Sequence, residues 1–243
     1  MYCKLAYLAL FACLTLRLAA QTVVGNQYNE LTVQALAGSG GLAPVATAFD
    51  NRYEGVRGTP LLFETWKEGT LKIKGNDRLI GPIKLNIDLE KQIAAVSYQN
   101  GSLSILPGDK LEYLAFESAE GPQRFLALPE QVVDPASRGT GIRFYEVLYE
   151  GRRFVFLKDR TREFKKADFK GAYSSQVPYD EYVEGTHYFL RHGEEPFVKT
   201  KLRATAIEKQ LAAWGRALPK ALSGADLNTE AGIAKALKAL EQE

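Results

Sequence analysis

Apolar and polar residues alternate without a fault along Ile83-Lys84-Leu85-Asn86-Ile87-Asp88-Leu89-Glu90. A period of two predicts a strand with one buried face and one wet face. Leu71 and Ile73 alternate in the same way, as do Leu103 and Ile105 against Ser102 and Ser104. Further strand candidates cover residues 111–116, 124–128, 142–149, 153–157, 182–191 and 197–200. Turn chemistry separates these runs: Asn100-Gly101 is a two-residue hairpin signal, and Pro107-Gly108-Asp109, Glu150-Gly151 and His192-Gly193 punctuate the others. Short strands at this spacing predict an antiparallel meander, sandwich or open barrel. No strand–helix alternation is visible, which argues against a Rossmann-like or TIM-barrel enzyme fold.

Past residue 200 the pattern changes period. Ile207, Leu211, Trp214 and Leu218 recur at helical spacing and give one apolar stripe. Pro219 and Gly224 end it, and Asn228 is placed to cap a second helix carrying Ile233, Leu237 and Leu240. The stripes are expected to dock on the sheet or on each other. The fold class is therefore α+β, mainly antiparallel β with a C-terminal helical pair. Residues 51–200 form the β body and 201–243 a helical tail packed on it. Residues 21–50 read as a partly ordered lead segment, with linker chemistry at Gly38-Ser39-Gly40-Gly41.

The first twenty residues read as an address. Lys4 gives a short positive start, residues 5–16 are an apolar run, and Leu18-Ala19-Ala20 offers small residues before Gln21. That is the layout of a secretory signal peptide, and the run is shorter than the about 20 apolar residues a membrane span needs. Leu10-Phe11-Ala12-Cys13 also resembles a lipobox, with Cys13 as the acylated residue. Cleavage there would leave the apolar residues 14–20 on the mature chain, so cleavage after Ala20 is the favoured reading. The expected destination is the periplasm or the outer-membrane periphery, with the extracellular space as a further possibility.

Removing the leader changes the charge. The 243-residue chain carries 31 Lys+Arg and 29 Asp+Glu. Lys4 and Arg17 leave with the leader and no acid does, so the mature chain is formally neutral. That argues against a nucleic-acid partner. Both Cys leave too, which removes disulfides, thiolate nucleophiles and thiolate metal sites. No membrane span is expected after the leader is gone.

The search for chemistry returns few candidates. There is no G-x-S-x-G elbow, no P-loop and no G-x-G-x-x-G after a strand. His187 and His192 are the only imidazoles, and five residues apart on one strand they should face opposite ways. His192-Gly193-Glu194-Glu195 reads as a solvated hairpin tip, and His187 as packed or interfacial. No catalytic residue, metal site or cofactor is assigned. Carboxylate pairs remain open, because glycosidase acids lie far apart in sequence.

Charge is segregated late in the chain. Residues 151–170 hold eight Lys/Arg and three acids, and residues 176–196 hold one Arg and five acids. Pairing of the two runs across a sheet is the favoured reading, and a basic patch for an anionic ligand the other. Tyr173, Tyr179, Tyr182 and Tyr188 cluster near the acidic run. Exposed aromatic rows can bind sugars, whereas aromatics in strands often fill a half-buried face. The densest polar motif is Asp50-Asn51-Arg52-Tyr53-Glu54-Gly55-Val56-Arg57-Gly58-Thr59-Pro60, which reads as a structured turn entering the first strand. Arg52, Tyr53, Glu54, Tyr179 and Tyr182 are the candidate binding residues.

The segments FDNRYEGVRGTPLLFETWKEGTLKIKG, IKLNIDLEKQIAAV, FYEVLYEG and HYFL…FVKTK carry a resemblance over residues 47–243. They resemble a group of uncharacterised exported proteins of Bacteroidetes-type bacteria. The resemblance implies export and a β-rich body with a helical tail, and brings no activity, cofactor or catalytic residue. The expected function is a non-enzymatic cell-envelope binding or assembly module, its partner an envelope protein or an apolar or glycan ligand. One rival is an envelope hydrolase using paired carboxylates. Another is a lipid or lipoprotein carrier with an apolar cavity under the C-terminal helices.

Overall fold

The structure, a computed structural model, describes residues 55–119, 121–167, 179–218 and 227–242. The leader and the lead segment lie outside the described residues. Eleven strands form one sheet: β1 (Val56–Arg57), β2 (Lys67–Ile73), β3 (Leu79–Asp88), β4 (Ile93–Ser97), β5 (Leu103–Pro107), β6 (Leu111–Phe116), β7 (Gln123–Pro129), β8 (Ile142–Glu150), β9 (Phe154–Lys165), β10 (Asp180–His192) and β11 (Val198–Thr200). Their order is β1-β10-β9-β8-β7-β6-β2-β3-β4-β5, with β11 also on β10. Every pairing is antiparallel except β1 with β10. The sheet is thus mixed and open, two meanders joined where β6 returns beside β2.

That return bends the first half. Four strand spacings separate β5 from β6, about 19 Å in a flat sheet. One 3-10 turn, Gly108–Lys110, joins them. Three residues at about 2 Å rise each cannot bridge a flat sheet, so β2–β6 must curl enough to bring the end of β5 near the start of β6, although the two strands do not pair. Gly108 is required there, since a Cβ would press on Ile142 of β8. The concave side holds a core of Leu71, Leu85, Ile87, Val96, Leu114 and Phe116, closed by Phe125 and Phe144. Asn86 is buried but satisfied. Its Oδ1 accepts from the Phe63 and Ile87 N–H groups at 3.2 and 2.9 Å, and its Nδ2 donates to the Phe63 carbonyl at 2.8 Å.

The second half has the longest strands, 12 residues in β9 and 13 in β10. The helical stripes dock there as expected. Helices α2 (Ala204–Ala213) and α3 (Glu230–Leu240) bring Ile207, Leu211, Ile233, Leu237 and Leu240 against Phe154, Phe156 and Leu190. The opposite face of β8–β10 is covered by the single turn α1 (Glu130–Val133), with Val133 buried among Tyr145, Leu157, Phe189 and Phe197. Asn228 is not the cap of α3. Thr229 is, its Oγ1 accepting from Gly232 N–H at 3.1 Å. Asn228 Oδ1 accepts instead from Ala204 N–H at 3.3 Å, so it ties the start of α2 to the entry of α3.

The far end of α3 secures the β8–β9 turn. Glu241 Oε1 accepts from the N–H groups of Arg153 and Phe154 at 2.7 and 2.9 Å, and the Arg153 guanidinium donates to the Leu240 carbonyl. Gly151 makes room, because a Cβ would strike the Glu241 carboxylate and the Tyr149 hydroxyl.

Candidate functional site

The candidate site lies on the outer side of β10. β9 pairs with residues 181–192 on one side. On the other side β1 pairs only with Asp180 and Glu181, and β11 only with Tyr188, Phe189 and Leu190. Both flanking strands are turned away by local backbone. Gly58 takes a left-handed φ of 79° and lies against Tyr182, so β1 leaves the sheet after Arg57. Arg203 N–H donates to the Lys201 carbonyl at 2.8 Å, which diverts the chain after β11. Among the described residues no strand pairs with the outer side of residues 183–187, about 17 Å of edge at a strand's rise. Glu184, Thr186 and His187 are exposed there.

The diverging chain leaves a wedge. Continued pairing would set Lys201 opposite His187 and Leu202 opposite Thr186. Instead they draw away and open a cavity of about 520 Å³ lined by Thr186, His187, Tyr188, Lys199, Thr200, Lys201 and Leu202. Its charged groups are cationic: Lys199 and Lys201 are both exposed. Lys199 Nζ stands 3.5 Å from Asp134 Oδ2 and 5.7 Å from the Phe189 ring centre. Lys201 has no ion-pair partner among the described residues.

Two of the sequence candidates border this edge. The Arg57 guanidinium lies 3.3 Å over the Tyr179 ring, and Tyr182 packs on Phe164 at 5.1 Å and donates to Glu90 Oε2 at 3.3 Å. Tyr182 therefore belongs to a half-buried strand face, and Tyr179 to the anchor of β1. Arg52, Tyr53 and Glu54 lie outside the described residues. The histidines do face opposite ways. His187 is on the side of Asp159, while His192 stacks on Trp214 at 5.5 Å and meets Phe154 at 5.0 Å. The 192–195 turn is thus anchored by its histidine rather than fully solvated.

Pairing across the sheet accounts for part of the segregated charge, since β9 and β10 register Arg162 with Glu184 and Lys165 with Glu181, while Arg153, Lys158 and Arg160 meet acids outside the acidic run. The first pair closes to 3.2 Å. Acids do converge at two other places, each around a cation. On the helix face, buried Glu146 accepts from Gln123 Nε2 at 2.6 Å and Arg160 Nε at 2.8 Å. Lys158 Nζ is 4.0 Å from Glu146 and 2.7 Å from Glu230 in the first turn of α3, whose Oε1 also accepts from the Tyr188 hydroxyl at 2.7 Å. Burial pushes the Glu230 pKa up, but the hydrogen bonds from Lys158 and Tyr188 outweigh it and hold the carboxyl below its usual range. Burial and then the bond to Glu230 push the Tyr188 hydroxyl up.

On the opposite face, Arg143 reaches Asp159 at 3.1 Å and Glu130 at 3.8 Å, and Ser137 Oγ donates to Glu130 at 2.5 Å. Burial raises Asp159 above the ordinary carboxylate range against the pull of Arg143. Burial also raises the neighbouring Tyr145 hydroxyl. Neither arrangement is a pair of acids flanking an open cleft. Among the described residues no group of three or more His, Cys, Asp or Glu is placed to hold a metal. No described helix is long and apolar enough to cross a membrane.

Sequence reasoning missed the β11 side of the site. Lys199 and Lys201 stand on alternate positions of FVKTK, which shows that they share a face but not which strand they border. No family model, curated protein or solved structure matches the chain.

Proposed function

We propose that the protein is an exported cell-envelope binding or assembly module that carries out no reaction of its own. The observation that carries this reading is the open edge of β10 beside a cation-lined cavity. Unpaired strand edges are sites for recognition, and of the two ends of this sheet only the β10 edge borders the cation-lined cavity, the other being the outer side of β5. The signal-peptide layout of residues 1–20 supports export to the periplasm or the outer-membrane periphery, and so does the resemblance over residues 47–243. The curled β2–β6 half reads as a partly open barrel serving as a rigid base for the longer strands.

The packing favours this over its rivals. Convergent acids are each bridged by a cation, which suits structure better than acid–base work on a glycan. The space between α2, α3 and the sheet is filled by fully buried side chains, Phe154, Phe156, Leu190, Ile207 and Leu237 among them. That suits a docked tail better than a lipid cavity.

Native mass spectrometry of protein purified from its own envelope is the test. A reproducible complex with another polypeptide is the expected result. Turnover of a glycan, ester or peptide library, lost on substitution of a single acid, would overturn the reading. A bound lipid would replace it with the carrier.

A further inference from the structure

We infer that residues 183–187 of β10 take up a short, extended, acidic segment of a partner polypeptide as an added strand. This rests on the binding-module reading and names the partner's chemistry. A strand edge offers N–H and C=O groups at every second residue, and an extended peptide satisfies them without regard to its sequence. Among the described residues, no backbone hydrogen bond outside the strand pairings uses residues 183–187.

The length of the gap selects the occupant. β1 closes it at Glu181 and β11 at Tyr188. A second copy pairing β10 with β10 would bring its own β1 and β11 into the same space, so a symmetric sheet-to-sheet dimer is blocked. What fits is about five residues that enter and leave at a steep angle.

The charge selects its chemistry. His187 shares a face with Phe189 and hence with Lys199, which registers opposite Phe189. Lys201, just past the end of β11, lines the same cavity. Thr186 and Thr200 add hydroxyls to the cavity wall. Asp134 already shares Lys199 at 3.5 Å and Glu184 is held by Arg162 at 3.2 Å on the other face, which leaves Lys201 as the cavity cation with no ion-pair partner among the described residues. A carboxylate side chain on the incoming strand therefore meets ammonium groups and hydroxyl donors in the wedge, whereas a lysine there meets repulsion.

The test uses the full chain and three labelled peptides: Gly-Asp-Val-Glu-Val-Asp-Gly, the same peptide N-methylated at alternate residues, and Gly-Lys-Val-Lys-Val-Lys-Gly. Binding is read by fluorescence anisotropy and location by amide hydrogen exchange. The acidic peptide is expected to bind and to slow exchange across residues 183–187. The basic peptide should bind at least about tenfold more weakly, since like-charge juxtaposition costs over 1 kcal/mol. N-methylation on the bonding residues should abolish binding. Lys201→Glu, a substitution at an exposed site, should weaken the acidic peptide and improve the basic one.

Equal binding of acidic and basic peptides overturns the charge assignment. Absence of protection at 183–187 overturns strand addition, and so does exchange there that is already slow in the free chain, because the edge is then covered from within. A partner that co-purifies yet protects another surface overturns this inference and leaves the binding-module reading standing. Turnover of a substrate library overturns that reading whatever the peptides do.

Discussion

Glu146 is where removing one carboxylate should cost most. Its residue is only 6% exposed, it accepts from Gln123 and Arg160, and Lys158 stands 4.0 Å away. Replacing it by Ala leaves two cations and an amide facing a space that water reaches poorly. Breaking a buried ion pair from one side costs about 3–5 kcal/mol. Arg160 is 25% exposed along its side chain and can partly rehydrate, which places the expectation near the lower figure. A loss of about 3 kcal/mol corresponds to a Tm lowered by about 6–12 °C for a chain of this size. Urea unfolding followed by circular dichroism reads the difference. The paired substitution Glu146→Leu with Arg160→Met should recover at least half of it, because pair and desolvation leave together. A single-variant loss under about 1 kcal/mol, or a double variant worse than the single, would refute the reasoning.

Three further outcomes follow from the same geometry. Glu230 has its folded pKa held below the ordinary 4.5, so its contribution is present above that pH and is lost as pH falls through the lower folded value. The stability gap between the native chain and Glu230→Gln should therefore close on acidification below pH 4.5, and a gap that widens would contradict it. Thr229→Ala removes the α3 cap and should cost about 1 kcal/mol in chemical denaturation, whereas Thr229→Ser should be nearly neutral. Gly69→Ala would drive a Cβ into the Ala115 carbonyl between β2 and β6, and a destabilisation of about 3 kcal/mol or failure to fold is expected on expression and thermal melting.

Alternation made β3 legible as a strand, with Lys84 wet against buried Leu85 and Ile87, but the face it assigned to solvent is buried at Asn86 and Asp88, whose side chains are satisfied by backbone groups of neighbouring turns. β4 was invisible for the opposite reason. Ile93–Ser97 is buried on both faces at its centre, Ala94, Ala95 and Val96 are all fully covered, and no period remains to be read. β9 was seen only as far as Leu157. Its remainder, Lys158 to Lys165, is charged on both sides, and only partners as distant as Glu230 make it strand. The helix stripes were read at the right places, but the first helix stops at Ala213, with Trp214 as its C-cap and Leu218 packing from beyond it, and a difference of one residue decided whether Asn228 or Thr229 capped the second. The site was half legible. Tyr179 and Tyr182 were found as aromatics in a polar stretch. The open edge they adjoin depends on which strands flank β10, a pairing that no local pattern encodes.

The clasp between Glu241 and the β8–β9 turn has a consequence in time. The two N–H groups it satisfies are separated from it by 88 and 87 residues of chain. At about 5–20 residues per second a ribosome needs about 4–18 s to cross that interval. For all of it the hairpin at the centre of the longer meander lacks its clasp, and Phe154 and Phe156 lack the helices that cover them. The second half of the sheet is therefore completed late, only once the segment that carries Glu241 has been made. A hairpin that locks only when residue 241 arrives stays loose until then, and loss of the residues after Leu240 would strike the middle of the sheet rather than its edge.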